Sequence, residues 1–268
     1  MLRSLKDLER YTVTATDGDL GSVSNFLLDD ERWTVRYLVV EPGLFHDGRR
    51  VLVSPIFFRQ AEWATRCFHL ALTKDKIRNS PSVDVDKPVS RQHERDYFRY
   101  YGYPYYWGYS GLWGMGNYPG LLAPWNEPPA DRKEVSGDVH LRSAKEVVGY
   151  DIHGSDGAIG SIADFVVDDE TWRIQYMVID TSHWWFGKKV LIAPEWASRI
   201  SWEERKVYVD LSRQAIKKSP EWHPDAAINR EYEERLYDYY GRPVYWGEGG
   251  RREEPTARQH PETHSGLR

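Results

Sequence analysis

The chain of 268 residues has a single cysteine and no long apolar run. One cysteine, Cys67, excludes a disulfide-stapled scaffold and a structural zinc site built on cysteines. No stretch of about 18 apolar residues occurs, so we expect no membrane span, and the N-terminus lacks the apolar region of a secretory signal. The sequence therefore predicts a cytoplasmic protein that is held together mainly by hydrophobic burial.

Neither sign of charge dominates the chain. It carries 36 lysines and arginines against 41 acidic residues, a net charge of −5. A protein that binds duplex DNA normally has a strong basic excess, so this balance disfavours nucleic acid as a partner. With 40% hydrophobic and 29% charged residues the composition is globular, and a domain size of roughly 100–200 residues leads us to expect two domains.

The sequence also lacks the motifs of common catalytic and metal sites. The serine between Gly108 and Gly111 is one residue out of register for a nucleophile elbow, and no phosphate-binding glycine pattern is complete. The nine histidines are scattered, and His260 and His264, at i and i+4, stand in a tail rich in glycine, proline and charge. We therefore predict that the protein is not an enzyme and has no catalytic residues and no cofactor.

What the chain does contain is an internal repeat. An offset of 139 residues aligns residues 2–108 with residues 141–247 without a gap, and about a third of the aligned residues are identical. The identical positions include an Asp-Gly pair, an Asp-Asp-Glu trio and a tryptophan that begins an apolar run. Residues that stay the same in two diverged copies mark a shared fold.

Each copy contains short strands separated by turn signals. Asp-Gly pairs predict tight turns, and the long strands that follow, at residues 20–28 and 159–167, carry small residues where we expect a bend or bulge. The next strand is apolar on both faces, which predicts a central position in the sheet. Five or six strands with little helix predict a mainly β fold, with a small barrel or rolled sheet in each copy.

An amphipathic helix and an aromatic stretch follow the strands of each copy. Ile228, Tyr232 and Leu236 have the spacing of one helix face, and the first copy has a matching stripe. The pattern Y-Y-G-x-P-x-Y-W-G comes next, at residues 100–108 and 239–247. We name these two stretches the first and the second aromatic tail and expect them to pack against the protein.

Tyrosine and tryptophan outnumber phenylalanine, at 18 and 12 against 8, which favours half-buried surfaces and interfaces. The linker after the first tail is also aromatic and rich in glycine and proline. It either wraps along the strands of the same molecule or forms an adhesive surface for a protein partner or a membrane interface. The residues that we assign to packing or to an interface are Tyr101, Tyr106, Trp107, Trp113, Tyr240, Tyr245 and Trp246.

The repeat predicts the organisation of the whole chain. We expect the two copies to pack about a pseudo-twofold axis with the aromatic tails at the seam, because each small sheet alone buries too little surface. The predicted segments are repeat 1 with its helical tail at 1–108, a linker at 109–139, repeat 2 with its helical tail at 140–247 and a disordered tail at 248–268.

The order of these motifs resembles the PRC-barrel domain. The resemblance rests on D-G-x-x-G-x-V-x-x-F-L-L-D-D, W-x-V-R-Y-L-V-V and G-R-R-V-L-V-S-P, and it covers residues 1–80 and 140–219. This family is the all-β fold of the cytoplasmic part of the photosynthetic reaction centre H subunit and of the C-terminal domain of the ribosome-maturation factor RimM. It implies two PRC-barrel-like small β-barrels in tandem, each followed by an aromatic helix.

Two acidic turns are the remaining candidates for chemistry. Consecutive carboxylates at a hairpin can converge on a hard cation, and a carboxylate pair could also serve a hydrolase. The turns are too short for spaced calcium ligands, and acidic residues at a turn need no ligand to explain them, so we expect no metal. The residues concerned are Asp29, Asp30, Glu31, Asp168, Asp169 and Glu170.

The resemblance implies a non-enzymatic adaptor or scaffold. Similarity to the reaction centre H subunit implies a protein partner or a membrane-associated complex, with a cytoplasmic location or a peripheral one at the inner membrane. The alternative is an RNA-processing or ribosome-assembly factor similar to RimM, which the charge balance disfavours. A second copy of the chain, in a homodimer, is a further partner that we consider.

The aromatic tails give a first testable prediction. A tryptophan that recurs after the same helix in two diverged copies is best explained by a shared packing site. Trp246→Ala is therefore expected to lower the free energy of unfolding by about 3–5 kcal/mol, measured by thermal or denaturant melting. A variant that melts like the parent but loses a partner in a pull-down would identify the tail as a binding surface instead.

Overall fold

A computed structural model describes residues 1–43, 49–81, 89–121, 124, 139–182 and 188–246. The chain divides into two compact units, Met1–Ala227 and Ile228–Arg268. All strands in the described part of the chain belong to the first unit, and the described part of the second unit contains one helix. The tail at 248–268, for which we expect disorder, lies outside the described residues.

The first half of the larger unit consists mainly of strands. A short 3-10 turn, Pro55–Phe57, separates its fifth and sixth strands. In chain order the elements are β1 (Leu2–Ser4), α1 (Leu5–Leu8), β2 (Thr12–Ala15), β3 (Gly18–Asp29), β4 (Thr34–Pro42), β5 (Val51–Val53), β6 (Phe58–Glu62), β7 (Cys67–Leu70), α2 (Lys74–Arg78), β8 (Val89–Ser90) and α3 (Arg91–Tyr101).

The second half repeats this order. A 3-10 turn, Pro194–Trp196, again separates two strands, and the last helix belongs to the second unit. The elements are β9 (Val139–Ser143), α4 (Ala144–Val147), β10 (Asp151–Gly154), β11 (Gly157–Asp168), β12 (Ile174–Asp180), β13 (Lys189–Ile192), β14 (Ala197–Ser201), β15 (Lys206–Val209), α5 (Arg213–Lys218) and α6 (Arg230–Tyr240).

The strands form two sheets with corresponding strand orders. The first order is β5-β4-β3-β2-β7-β6 and the second is β13-β12-β11-β10-β15-β14. Within these orders, β2 and β7, like β10 and β15, are parallel neighbours, whereas the remaining neighbours are antiparallel. The mainly β fold is confirmed. Among the described residues no ladder closes either sheet, so the finer expectation of closed barrels stays a prediction.

The long central strands have the irregularity that their small residues predicted. The register of β3 against β4 shifts between Val23 and Asn25, and that of β11 against β12 shifts between Ile162 and Asp164. β4 lies between β3 and β5, and residues 35–40 are all buried. The predicted bulge and the predicted central strand are therefore both confirmed.

The first strand of each half pairs with the long strand of the other half. β1 pairs with β11, with Arg3 opposite Val167, and β9 pairs with β3, with Arg142 opposite Leu28. These two pairings are related by the same 139-residue offset as the sequence copies. Neither half completes its sheet alone, because each lends its first strand to the other.

Side-chain contacts across this junction follow the same offset. Arg3 Nε lies 2.6 Å from an oxygen of Asp169, and Arg142 Nε lies 3.1 Å from an oxygen of Asp30. Ser4 likewise donates to Asp164 of β11, and Ser143 accepts a hydrogen bond from Asn25 of β3. The contacts are arranged as a pseudo-twofold axis requires.

The centre of the junction lies at Thr34 and Arg173, which form an isolated antiparallel bridge. The neighbouring tryptophans have left-handed backbone angles, with φ of 50° at Trp33 and 61° at Trp172, which bulky residues rarely adopt. The residues around the bridge exchange backbone hydrogen bonds, from Val35 N to Trp172 O at 2.8 Å and from Ile174 N to Trp33 O at 2.7 Å. Exchanged backbone bonds thus form the middle of the seam, where we had expected the aromatic tails.

The reciprocal pairing predicts that the two halves stay together after the linker is cut. A protease site placed between residues 125 and 138, in a segment outside the described residues, should give a nicked protein that elutes from a sizing column at the volume of the intact chain. The halves should separate only in denaturant. Two fragments that elute separately in native buffer would contradict the exchange of β1 and β9.

Candidate functional site

Beneath the first aromatic tail lies a cluster of polar side chains that are buried in the protein. Its members come from the end of β3, from β4, from α3 and from the tail, so residues far apart in sequence meet there. We call it the polar cluster, and it consists of Asp29, Arg36, Tyr37, Arg91, Glu94 and Tyr106. Because buried polar groups are costly without partners, the way in which these groups bond each other decides what the cluster can do.

Asp29 and Arg36 form its first ion pair. Two nitrogens of Arg36, Nη2 and Nε, lie 2.8 and 3.1 Å from Asp29 Oδ2. The other oxygen of Asp29 accepts the backbone N–H groups of Glu31 and Arg32, so the same carboxylate shapes the acidic turn. Burial by itself would raise the pKa of Asp29, but the adjacent Arg36 lowers it below its ordinary value. Asp29 is therefore an ionised structural group.

Glu94 is the second buried carboxylate of the cluster. The hydroxyls of Tyr106 and Tyr37 donate to its Oε1 at 2.7 and 3.1 Å, and Arg91 Nη1 donates to its Oε2 at 2.9 Å. Burial raises the pKa of Glu94 above its ordinary value, against the opposing effect of Arg91. All four side chains are therefore engaged with one another within the protein.

The cluster also holds the chain that follows the first tail, residues 109–121, which we name the glycine loop. Arg36 Nη1 donates to the carbonyl of Leu112 at 2.6 Å, and Arg32 donates to the carbonyls of Tyr109, at 2.7 Å, and Gly111. The Arg36 guanidinium also lies 3.8 Å from the ring centre of Tyr106, a cation–π distance. Two arginines of one hairpin thus fix the start of the loop.

Aromatic packing joins α3 to the first sheet. The rings of Tyr97 and Tyr37 meet edge to face at 5.0 Å, a favourable arrangement, and the Tyr97 hydroxyl donates to the carbonyl of Leu52 at 3.1 Å. Tyr101 packs on Phe57 with ring centres 4.5 Å apart. In this first copy the aromatic stripe of the helix therefore covers the sheet that precedes it.

The second unit has a smaller version of the same arrangement. Within it, Arg230 lies 3.1 Å from Glu233, and the Tyr245 hydroxyl donates to Glu233 at 2.9 Å. The guanidinium of Arg230 lies 3.9 Å from the ring centre of Trp246. These residues match Arg91, Glu94, Tyr106 and Trp107 at the 139-residue offset. Each helix therefore binds its own tail through an Arg-x-x-Glu pair.

The packing residues assigned from sequence differ in burial. Tyr101, Tyr106 and Trp113 are buried, and the Trp113 indole donates to the carbonyl of Thr171 in the other half at 2.8 Å. The remaining four are partly exposed: Trp107, Tyr240, Tyr245 and Trp246. The recurrence of the Tyr-Trp pair predicts burial of this pair in both tails, which is wrong for Trp107, Tyr245 and Trp246. Trp107 packs against Phe98 of α3 and Trp246 against Tyr237 of α6, on the side of each helix. Because Trp246 is only partly buried, Trp246→Ala is expected to lower the free energy of unfolding by less than about 3 kcal/mol.

The candidate cation ligands are engaged by other groups of the protein. Asp30 and Asp169 contact the arginines of the exchanged strands, and Asp168 accepts the hydroxyl of Thr171 at 2.7 Å. Glu31 and Glu170 are exposed. In the described parts of the chain, no three histidine, cysteine, aspartate or glutamate side chains are grouped to hold a metal ion. The acidic turns anchor strands and shape hairpins.

Sequence reasoning missed the charged members of the polar cluster. Arg36 interrupts an otherwise apolar run, and a charge in a central strand is a signal of a buried partner. Arg91 and Glu94 recur as Arg230 and Glu233 in the second copy. That repetition was visible in the alignment, but nothing in the spacing indicated that Asp29 would meet them.

Comparison with known proteins shows that part of the chain is similar to a known domain family. Residues 140–216, from β9 to α5, match the family model of the PRC-barrel domain. The matched residues lie in the second half of the chain. An uncharacterized protein of Deinococcus radiodurans is 34% identical over 95 residues, which is 35% of this chain and 33% of the relative. The aligned region thus spans a third of that relative's length.

None of the helices in the described residues is long and apolar enough to cross a membrane. The longest, α3 and α6, have 11 residues each, whereas a span needs about 20. This agrees with the expectation from the sequence that no apolar segment of that length is present.

The Asp29–Arg36 pair predicts that substitutions of its two members have non-additive effects on stability. Arg36→Gln, which introduces the residue found at the equivalent position 175, should lower the free energy of unfolding by about 3–5 kcal/mol, because it leaves the Asp29 charge buried and unpaired. Asp29→Asn in the same chain should restore part of the loss, and denaturant melting of the four combinations measures the coupling. Additive effects of the two substitutions would contradict a direct pair.

Proposed function

We propose that this protein is a non-enzymatic adaptor or scaffold made of two PRC-barrel repeats, which binds a protein or a membrane-associated complex. The shared strand order and the 139-residue sequence offset support extending this family to the first repeat. A relation to assemblies like the photosynthetic reaction centre H subunit is the finer part of the same proposal.

The observation that carries this proposal is the use of the charged groups. The carboxylates that could perform acid–base chemistry, Asp29 and Glu94, are buried and bonded to arginine and tyrosine side chains. A catalytic acid or base must reach a substrate proton, and these two carboxylates face arginine and tyrosine side chains of the protein instead. The polar cluster therefore supports an architectural role, in which it presents the first tail and the glycine loop in a defined position.

The junction between the halves supports the same role. A scaffold has to keep its binding surfaces at a fixed distance, and exchanged strands join the two sheets through backbone hydrogen bonds that depend little on the surface residues. The ion pairs of Arg3 and Arg142 with the other half's acidic turn add to this connection. Duplication would thus have produced a rigid body from two sheets that are each incomplete.

Recovery of the full chain from its native cells tests the proposed function. After mild crosslinking and purification in non-denaturing detergent, an adaptor should be recovered with at least one protein in fixed stoichiometry, in a complex larger than the chain itself. Glu170→Gln, at an exposed carboxylate of the second acidic turn, serves as the control for a hydrolase that uses these turns, and it should leave the complex intact. Recovery of the chain alone at every crosslinker concentration would contradict the proposal.

A further inference from the structure

Among the described residues of the first unit, four of the five exposed large hydrophobic side chains lie in the glycine loop. The side chain of Met115 is 81% exposed, that of Leu121 is 70% exposed and that of Tyr118 is 47% exposed. Tyr109, at the start of the loop, is 36% exposed. Several large apolar side chains exposed within one short segment mark an interaction surface.

The glycine loop contributes no charged side chain to this surface. Residues 100–126 contain no lysine, arginine, aspartate or glutamate, in a chain in which 29% of residues are charged. Tyrosine, tryptophan, leucine and methionine supply the side chains instead. An aromatic and aliphatic composition without charges is typical of segments that lie at the boundary between lipid headgroups and acyl chains.

Part of the loop backbone is hydrogen-bonded within the protein. Gly111 N donates to Gly114 O at 2.9 Å, and Trp113 N donates to Gly116 O at 2.8 Å. Leu112 N donates to the Asn117 side chain at 3.2 Å, and its carbonyl accepts Arg36. These bonds join the two sides of the loop and tie it to Arg36 of β4.

The loop is also held in one conformation before it meets any partner. A Cβ atom at Gly111 would lie 2.5 Å from the carbonyl oxygen of Gly116, so only glycine permits the two sides of the loop to approach this closely. Below the tip, Trp113 is buried and Arg32 and Arg36 bind three carbonyls. A preformed loop avoids the entropic cost of ordering on binding.

We propose that the glycine loop inserts its tip, Met115 with Tyr118 and Leu121, into the interface of an uncharged lipid bilayer. This deepens the proposed function, on which it rests, by naming the surface at which the scaffold meets a membrane. A lipid surface fits better than a protein, because a stable protein interface takes about 20–30 residues a side and usually includes hydrogen bonds and arginine. Four exposed side chains without a charge offer neither.

Sedimentation with phosphatidylcholine vesicles tests the insertion. The purified full chain should sediment with the vesicles, and added salt should leave its binding unchanged because no charge takes part. Met115→Lys should weaken binding by about tenfold, since a charge is strongly disfavoured among acyl chains. Met115 is exposed, so the variant should melt like the parent. Ala64→Lys, which adds the same charge at another exposed position, is the matched control and should bind like the parent.

Three outcomes would overturn the insertion. The parent chain would fail to sediment with the vesicles, Met115→Lys and Ala64→Lys would bind equally, or salt would abolish binding and so point to charged headgroups. If the parent chain does not bind vesicles and the Met115→Lys variant no longer captures a protein that the parent captures, the loop binds a protein partner instead. Because the vesicle experiment contains no partner protein, its failure leaves the recovery of a native complex as a separate test of the scaffold.

Discussion

The reciprocal exchange of first strands is the constraint on which the rest of the larger unit depends. Each long strand, β3 and β11, has an edge that the other half must cover, because an uncovered strand edge leaves a row of backbone groups unpaired. The acidic turns lie at the ends of these same strands, so Asp30 and Asp169 meet the arginines that arrive with the exchanged strands. Strand pairing, ion pairs and the backbone bridge at Thr34 and Arg173 are thus parts of one junction.

The polar cluster connects this junction to the surface. Asp29 ends the long strand, Arg36 lies on the next strand, and their pair is completed by a helix and a tail that come much later in the chain. Leaving any one of these charges unpaired would be costly, which ties the position of α3 and of the tail to that of the sheet. This network also fixes the position of the glycine loop, because Arg36 bonds both Asp29 and the carbonyl of Leu112.

The two copies have diverged where their surroundings differ. The hairpin of the first copy carries Arg32 and Arg36, which hold the glycine loop, whereas the second copy has Thr171 and Gln175 at the equivalent positions. After the second tail, residues 248–268 are rich in charge and contain no phenylalanine, tyrosine or tryptophan. Arg32 and Arg36 therefore occur in the copy that is followed by the glycine loop. The Arg-x-x-Glu pair that binds a tail occurs in both copies.

The sequence by itself determined the mainly β fold, the bulge in the long strand, the central strand after the acidic turn and the repeat of 139 residues, because alternation, turn residues and self-similarity are local or periodic signals. Only the tertiary structure decided which strand completes which sheet, because an exchanged strand has the same local sequence as one that pairs within its own half. The same holds for the polar cluster. Asp29, a candidate metal ligand in the sequence, pairs with Arg36 of the same hairpin, and the cluster is completed by Arg91, Glu94 and Tyr106. Contacts between residues so far apart follow from packing and leave no spacing in the sequence.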